Sequence, residues 1–167
     1  MLPPSVEFHP GTTGEFEVKE TNIMVKNGKE KERTLNIKSL ALVIEDDEAH
    51  ANLFSEALEK AGFEVEIIRD GKMGLSRLAH AAPVVVVLDI NLPYVSGIDI
   101  LRYIRSDVRL SKTRVIIASA NAQLTATLHD EADLVLMKPI SYSQLRDLAT
   151  RLQADGSAAS TSHKRQK

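Results

Sequence analysis

Between Pro83 and Pro93 the chain reads V-V-V-V-L-D-I-N-L, five apolar and mostly β-branched residues running straight into Asp89. A continuous apolar run of this kind, bounded by prolines, suits a strand buried on both faces of a parallel sheet. Asp89 then stands where that strand leaves the sheet, and in open α/β sheets chemistry gathers outside the carboxyl ends of the strands. A second apolar run, Leu40 to Ile44, ends the same way, in Glu45, Asp46 and Asp47.

From Leu40 onward, short apolar runs alternate with amphipathic segments, the pattern of a βαβ chain. It predicts five strands and five helices in one doubly wound α/β domain. The strands are Leu40 to Ile44, Val65 to Ile68, Val84 to Leu88, Val115 to Ala118 and Leu134 to Met137. Helix one spans Glu48 to Ala61, with Ala49, Leu53, Ala57 and Ala61 on one face and Gly62 closing it. Helix two carries Met73, Leu75, Leu78 and Ala79 up to His80. Gly97 opens helix three, with Ile98, Leu101 and Ile104 as its inner stripe. After a polar turn, Ser119 to Gln123, a short fourth helix runs to about Asp130. Helix five starts at Ser141, whose pairing with Gln144 makes a capping box, and buries Leu145, Leu148, Ala149 and Leu152.

Composition bounds the rest. A chain of 167 residues, 43% hydrophobic and 26% charged, can bury one sizeable core. We expect one domain over residues 38–154, preceded by an extension (1–37) that is flexible or a small hairpin around Asn27-Gly28. A Gly/Ser/Ala-rich tail (155–167) is expected to be disordered. A net charge of -2 supplies no global field for nucleic acid or an anionic membrane. The absence of cysteine removes disulfides and thiolate chemistry. No apolar stretch is long enough to span a bilayer and no signal pattern opens the chain, so a cytoplasmic protein without nucleic-acid or membrane partners is expected.

In one parallel sheet the residues just past each strand meet on a single edge: Glu45 and Asp46, Asp89, Ser119 and Lys138. Two carboxylates about 4 Å apart repel by roughly 4 kcal/mol at an effective dielectric of 20, so this set calls for a cation. Its donors are all oxygen, which selects a hard ion such as Mg²⁺. Lys138 is available to pair with Asp89 and then with an anion attached to it, and Ser119 offers a hydroxyl to the same anion. The implied reaction is attack by the Asp89 carboxylate on a phosphoryl group. His9 and His163 lie in the tails, and His50, His80 and His129 fall on predicted helices, where a structural role is expected.

These residues resemble the receiver domains of two-component response regulators over about Ser39 to Ala154. The motifs are V-I-E-D-D at Val43 to Asp47, L-D-I-N-L-P at Leu88 to Pro93 with Gly97 following, A-S-A at Ala118 to Ala120, and M-K-P at Met137 to Pro139. The resemblance implies a flavodoxin-like topology with strand order 2-1-3-4-5. It further implies Asp89 as phosphoacceptor, Asp46 as direct Mg²⁺ ligand, the Asn91 backbone carbonyl as a further ligand, and Glu45 acting through water. Ser119 matches the hydroxyl position and Lys138 the lysine of the family pattern, whereas Asp47 reads as first-turn helix charge.

A sensor histidine kinase or histidine phosphotransfer protein is the implied donor. With few residues after helix five, output is expected through the face made by helix four, strand five and helix five, to a downstream protein or a second copy. Val135 stands where the family usually carries Tyr or Phe, so the familiar aromatic readout is absent. Two alternatives remain open: a receiver-like interaction module that no longer signals by phosphorylation, and an aspartate-nucleophile phosphotransferase. The second would need an acid or threonine where Asn91 stands. A flavin-binding module is disfavoured because Glu45, Asp46 and Asp47 would repel its phosphate.

Overall fold

The computed structural model describes residues 38–121, 123 and 128–161. Five parallel strands form one sheet in the order β2-β1-β3-β4-β5: β1 (Leu40–Ile44), β2 (Glu64–Ile68), β3 (Val85–Asp89), β4 (Arg114–Ser119) and β5 (Leu134–Met137). Four helices are described, α1 (Glu48–Lys60), α2 (Gly71–His80), α3 (Gly97–Ser106) and α4 (Tyr142–Thr161), together with a 3₁₀ turn at Val108–Leu110. The expected fold class and strand order are those observed. The hairpin or flexible extension at 1–37 lies outside the described residues. So does most of the fourth expected helix (124–127); Gln123, expected in the turn before it, is helical, and Leu128 to Asp130, at its expected end, are bend and turn.

The apolar strands are continuous because each central strand feeds two cores. Side chains alternate across a strand, so Ala41, Val43, Val85, Val87, Ile116 and Ala118 face the layer of α1 and α4, meeting Phe54, Leu58, Leu145 and Ala149. Leu42, Ile44, Val86, Leu88, Val115 and Ile117 face the other layer, with Leu78, Ile100, Leu101 and Ile104. Burying each Leu, Ile or Phe contributes about 1.5–3 kcal/mol relative to exposure, which locks the three central strands and fixes their carboxyl ends.

Several helix faces differ from expectation. On α1 the buried residues are Ala51, Phe54, Ser55, Ala57 and Leu58, whereas Ala49 is exposed and Leu53 half-buried. A row of i, i+4 positions drifts about 40° around the helix at each step, so four such positions sweep too wide an arc to share one face. On α2 Leu78 is buried, but Gly71 and Gly74 are its other core positions and Met73 is 62% exposed. On α3 Ile100 replaces Ile98 in the buried stripe, Ile98 packing only in part. Gly62, at φ 100°, does close α1 as expected. In α4, Ser141 Oγ accepts from the Gln144 backbone N–H at 3.2 Å, the N-cap half of the expected box. The helix continues to Thr161, beyond the boundary placed at Ala154. Ala154, Ala158 and Ala159 favour propagation once a helix is nucleated, against a cost of about 1 kcal/mol at Gly156.

The far end of the sheet is pinned by Asp133. Its carboxylate accepts from Arg105 at 2.7 Å, Arg114 at 2.7 Å and the Val115 N–H at 2.8 Å. Burial pushes the Asp133 carboxyl up, but these three donors outweigh it and hold it below the usual carboxylate range.

At the near end, α3 starts against the strand that feeds it. A Cβ on Gly97 would lie 2.0 Å from the Asp89 carbonyl oxygen and 2.8 Å from Ile90 Cα, both backbone atoms that cannot step aside. Gly97→Ala is therefore expected to destabilise the domain by about 3 kcal/mol or more. Urea denaturation checks this, and loss of less than about 1 kcal/mol would show that the loop yields.

Candidate functional site

The carboxyl edge of the sheet gathers one charged cluster. β1 delivers Glu45 as its next residue, β3 ends on Asp89, β4 ends on Ser119, and β5 runs directly into Lys138. Asp89 and Ser119 are thus the last residues of their strands, held by ladder pairing with Ala118 and Met137, whereas sequence pattern left both in loops. The Lys138 N–H donates to the Ser119 carbonyl at 2.8 Å, extending that pairing one residue further.

Lys138 is the centre. Its Nζ donates to both oxygens of Glu45, at 2.8 and 2.9 Å, and lies 3.1 Å from Asp89 Oδ2. Glu45 is 1% exposed and Asp89 6%, so these are buried charges whose cost is offset only by close pairing. Burial pushes the Glu45 carboxyl up, opposed by the hydrogen bonds from Lys138, and the Asp89 charge adds to the rise. Burial works against the Lys138 ammonium, but the Glu45 and Asp89 carboxylates outweigh it and raise its pKa.

The remaining groups complete the pocket. Asp46 is exposed beside the buried pair, and ligand oxygens of Glu45, Asp46 and Asp89 lie within 4.8 Å of one another. Three carboxylates against one ammonium leave a formal excess of two negative charges, and oxygen donors alone suit a hard divalent ion. The residues present therefore fit such an ion. The Asn91 backbone N–H approaches Asp89 Oδ1 at 3.4 Å. Ser119 is fully buried, and its Oγ accepts from the Asn121 N–H at 3.0 Å, which leaves its own hydrogen free to donate. Asp47 is the N-cap of α1, accepting from the His50 N–H at 2.8 Å.

Sequence pattern missed one neighbour of this pocket and one feature of the loop that follows Asp89. His50 stacks on Phe54, with ring centroids 5.9 Å apart, and brings Nδ1 to 3.6 Å from Glu45 Oε1 and 3.3 Å from Asp47 Oδ1 without a hydrogen bond to either. Its place one turn after the acidic run was the available signal. Tyr94, five residues past Asp89, is 86% exposed and is the one non-glycine residue with positive φ (68°) among those described. His80 is a helix-surface residue bonded to the Ser76 carbonyl at 2.9 Å, as a structural role requires, and His129 falls in a turn.

Fold and pocket together define a response regulator receiver domain, and the comparisons agree. The family model for the response regulator receiver domain matches residues 41–150, and the chain belongs to that family. It is similar to the probable methanogenesis regulatory protein FilR2 of Methanothrix harundinacea, 31% identical over 118 residues, covering 64% of this chain and 76% of that protein. It is also similar to the DNA-binding response regulator MtrA of Mycobacterium tuberculosis, 30% identical over 104 residues, covering 62% of this chain and 46% of MtrA. Among solved structures it is similar to the BeF3-activated DrrB receiver domain, with a TM-score of 0.64, 26% identity, and coverage of 71% of this chain and 99% of that one.

Receiver domains are signalling domains of two-component systems rather than classical enzymes, and they bind Mg²⁺ at an acidic pocket. Because the match spans under half of MtrA, a DNA-binding protein, the charge-based expectation of no nucleic-acid partner applies to this region's charge alone. Among the described residues no helix is long and apolar enough to cross a membrane.

Removing the central cation tests the pairing. Lys138→Met leaves Glu45 and Asp89 buried and unpaired, and without divalent ions is expected to cost about 3–5 kcal/mol at pH 7. Since the folded state already holds the Glu45 carboxyl above its ordinary value, the variant gains stability as the pH falls toward the ordinary glutamate value of about 4.3. Denaturation between pH 7 and 5 checks the sign. Stability that falls steadily over that range would refute it.

Proposed function

We propose that this domain receives a phosphoryl group on Asp89 from a histidine-phosphorylated protein and passes the signal to a protein partner. The observation that carries the reading is the buried Asp89 carboxylate 3.1 Å from Lys138 Nζ, beside an exposed carboxylate that needs a cation. An Asp89 oxygen attacks phosphorus, a P–O bond forms as the donor's P–N bond breaks, and the electron pair leaves on the imidazole nitrogen, which solvent protonates. Asp46, Asp89 and the Asn91 carbonyl would hold Mg²⁺, with Glu45 contributing through water. When bound, the ion supplies charge neutralisation to the developing phosphoryl oxygens. Lys138 neutralises another phosphoryl oxygen, and the Ser119 hydroxyl donates to a third.

Glu45 has a second duty in this scheme. With both its oxygens on Lys138, it keeps the ammonium at the site while Asp89 changes from carboxylate to acyl phosphate.

Output follows from what Ser119 and Lys138 are joined to. The modification turns the singly charged Asp89 carboxylate into an acyl phosphate carrying nearly two negative charges, and the two responding groups are linked through the Lys138 N–H to Ser119 carbonyl bond. They lead into the segment after β4 and into α4. Val135 is half-buried in the core layer of α2 and α3. With a valine there the shift travels through backbone and aliphatic repacking, and the face made by the segment after β4, β5 and α4 binds a partner protein or a second copy.

Intact mass after treatment with acetyl phosphate and Mg²⁺ tests the chemistry. The parent gains one phosphoryl group that hydroxylamine removes, Asp89→Asn gains none, and Asp46→Ala loses Mg²⁺-dependent labelling along with any Mg²⁺ stabilisation in a thermal melt. Full labelling of Asp89→Asn would sink the assignment. Amide exchange with a beryllofluoride mimic is expected to change residues 120–144. Changes confined to the Asp46 and Asp89 loops would exclude that face as the output surface.

A further inference from the structure

We propose that Tyr94 is a docking contact for the histidine-phosphorylated donor protein, a reading that rests on Asp89 being the phosphoacceptor. Its backbone observation is a γ-turn: the Val95 N–H donates to the Pro93 carbonyl at 2.9 Å, two residues back, around a Tyr94 φ of 68°. For a residue with a bulky side chain this conformation is strained. It holds because the loop is fixed from three sides. The Pro93 carbonyl also accepts from the Gly71 N–H at 3.2 Å, the Gly97 N–H donates to the Ile90 carbonyl at 3.0 Å, and Ser96 caps α3. Gly71 packs so closely on this loop that a Cβ there would lie 2.0 Å from the Val95 carbonyl oxygen.

A loop held this firmly presents its ring to water at 86% exposure. Within the folded domain that arrangement gains little, since an exposed tyrosine supplies almost none of the stabilisation a buried one gives.

The location supplies the partner. Asp89 is 6% exposed at the carboxyl edge of the sheet, so a protein that delivers a phosphoryl group must bring its histidine down onto that edge and cover the surrounding loop tips. Tyr94 sits on the loop that leaves Asp89. A rigidly presented tyrosine offers large apolar area and a hydroxyl at low entropic cost, the kind of residue on which binding energy concentrates. A small phosphodonor covers no such surface and needs none.

The experiment compares two donors. Acetyl phosphate with Mg²⁺ probes the acceptor alone. Autophosphorylated sensor kinases and phosphoramidate-charged histidine phosphotransfer domains form a panel of protein donors, the fastest of which serves as probe. Tyr94→Gly removes the ring and relieves the positive φ, and Tyr94→Phe keeps the ring. Tyr94→Gly is expected to label with acetyl phosphate within about twofold of the parent. Its KM for the protein donor is expected to rise at least about tenfold, the scale of one hot-spot contact, while Tyr94→Phe restores most of the parent's rate. Equal loss with both donors would reduce Tyr94 to a loop-shaping residue and overturn the proposal. So would parent-like transfer by Tyr94→Gly, or transfer from no protein donor while acetyl phosphate labels. Failure of acetyl phosphate to label the parent would instead remove the acceptor role of Asp89 on which the proposal rests.

Discussion

The ammonium of Lys138 ties its own strand end to two others whose carboxylates would otherwise repel. Glu45 follows β1, Asp89 ends β3 and Lys138 follows β5, yet the 2.8 and 3.1 Å contacts bring all three to one point. The two carboxylates are almost completely buried, so neither is tolerable without a cation nearby. One lysine cannot balance them together with Asp46. The residual negative charge suits a divalent ion, and in the proposed function a phosphoryl group would change the charge balance that Lys138 maintains.

That balance is useful only on a rigid base. The two core layers lock β1, β3 and β4 from both sides, so the positions of Glu45, Asp89 and Ser119 follow from side-chain packing far beneath them. Close backbone contact extends the rigidity above the sheet: Gly97 against the Asp89 carbonyl and Gly71 against the Val95 carbonyl leave no room for a side chain. The proposed response to phosphorylation lies on the side of β5. There Lys138 and Ser119 are bonded through backbone, and Val135 offers aliphatic packing instead of a ring.

Much of this was legible in the chain. Apolar runs ending in Glu45-Asp46, Asp89, Ser119 and Lys138 placed the site residues, because a strand buried on both faces must be apolar throughout and a charged residue can appear only where the strand leaves the core. Period and caps located the helices, as the Ser141 and Gly62 positions illustrate, whereas Asp47, read as first-turn helix charge, is the N-cap of α1. Helix faces were less legible. Gly74 packs into the core against Ile44 and Ile100 and Gly71 against the Val95 loop, with no apolar side chain to announce them, and Ala51 and Ala49 are the same residue type although one is buried and the other exposed.

The order of apolar and charged residues along the chain was enough for the fold class, for the strand order expected of the family it resembles, and for the identity of the charged residues at the sheet edge. All of these depend on local pattern and order along the chain. Three-dimensional packing was needed to show that Lys138 holds Glu45 with two hydrogen bonds while also reaching Asp89. It alone brought His50 beside Glu45 and turned Tyr94 outward on a strained loop. Distances between residues up to 93 positions apart are set by how two core layers pack against one sheet, and no local pattern encodes them.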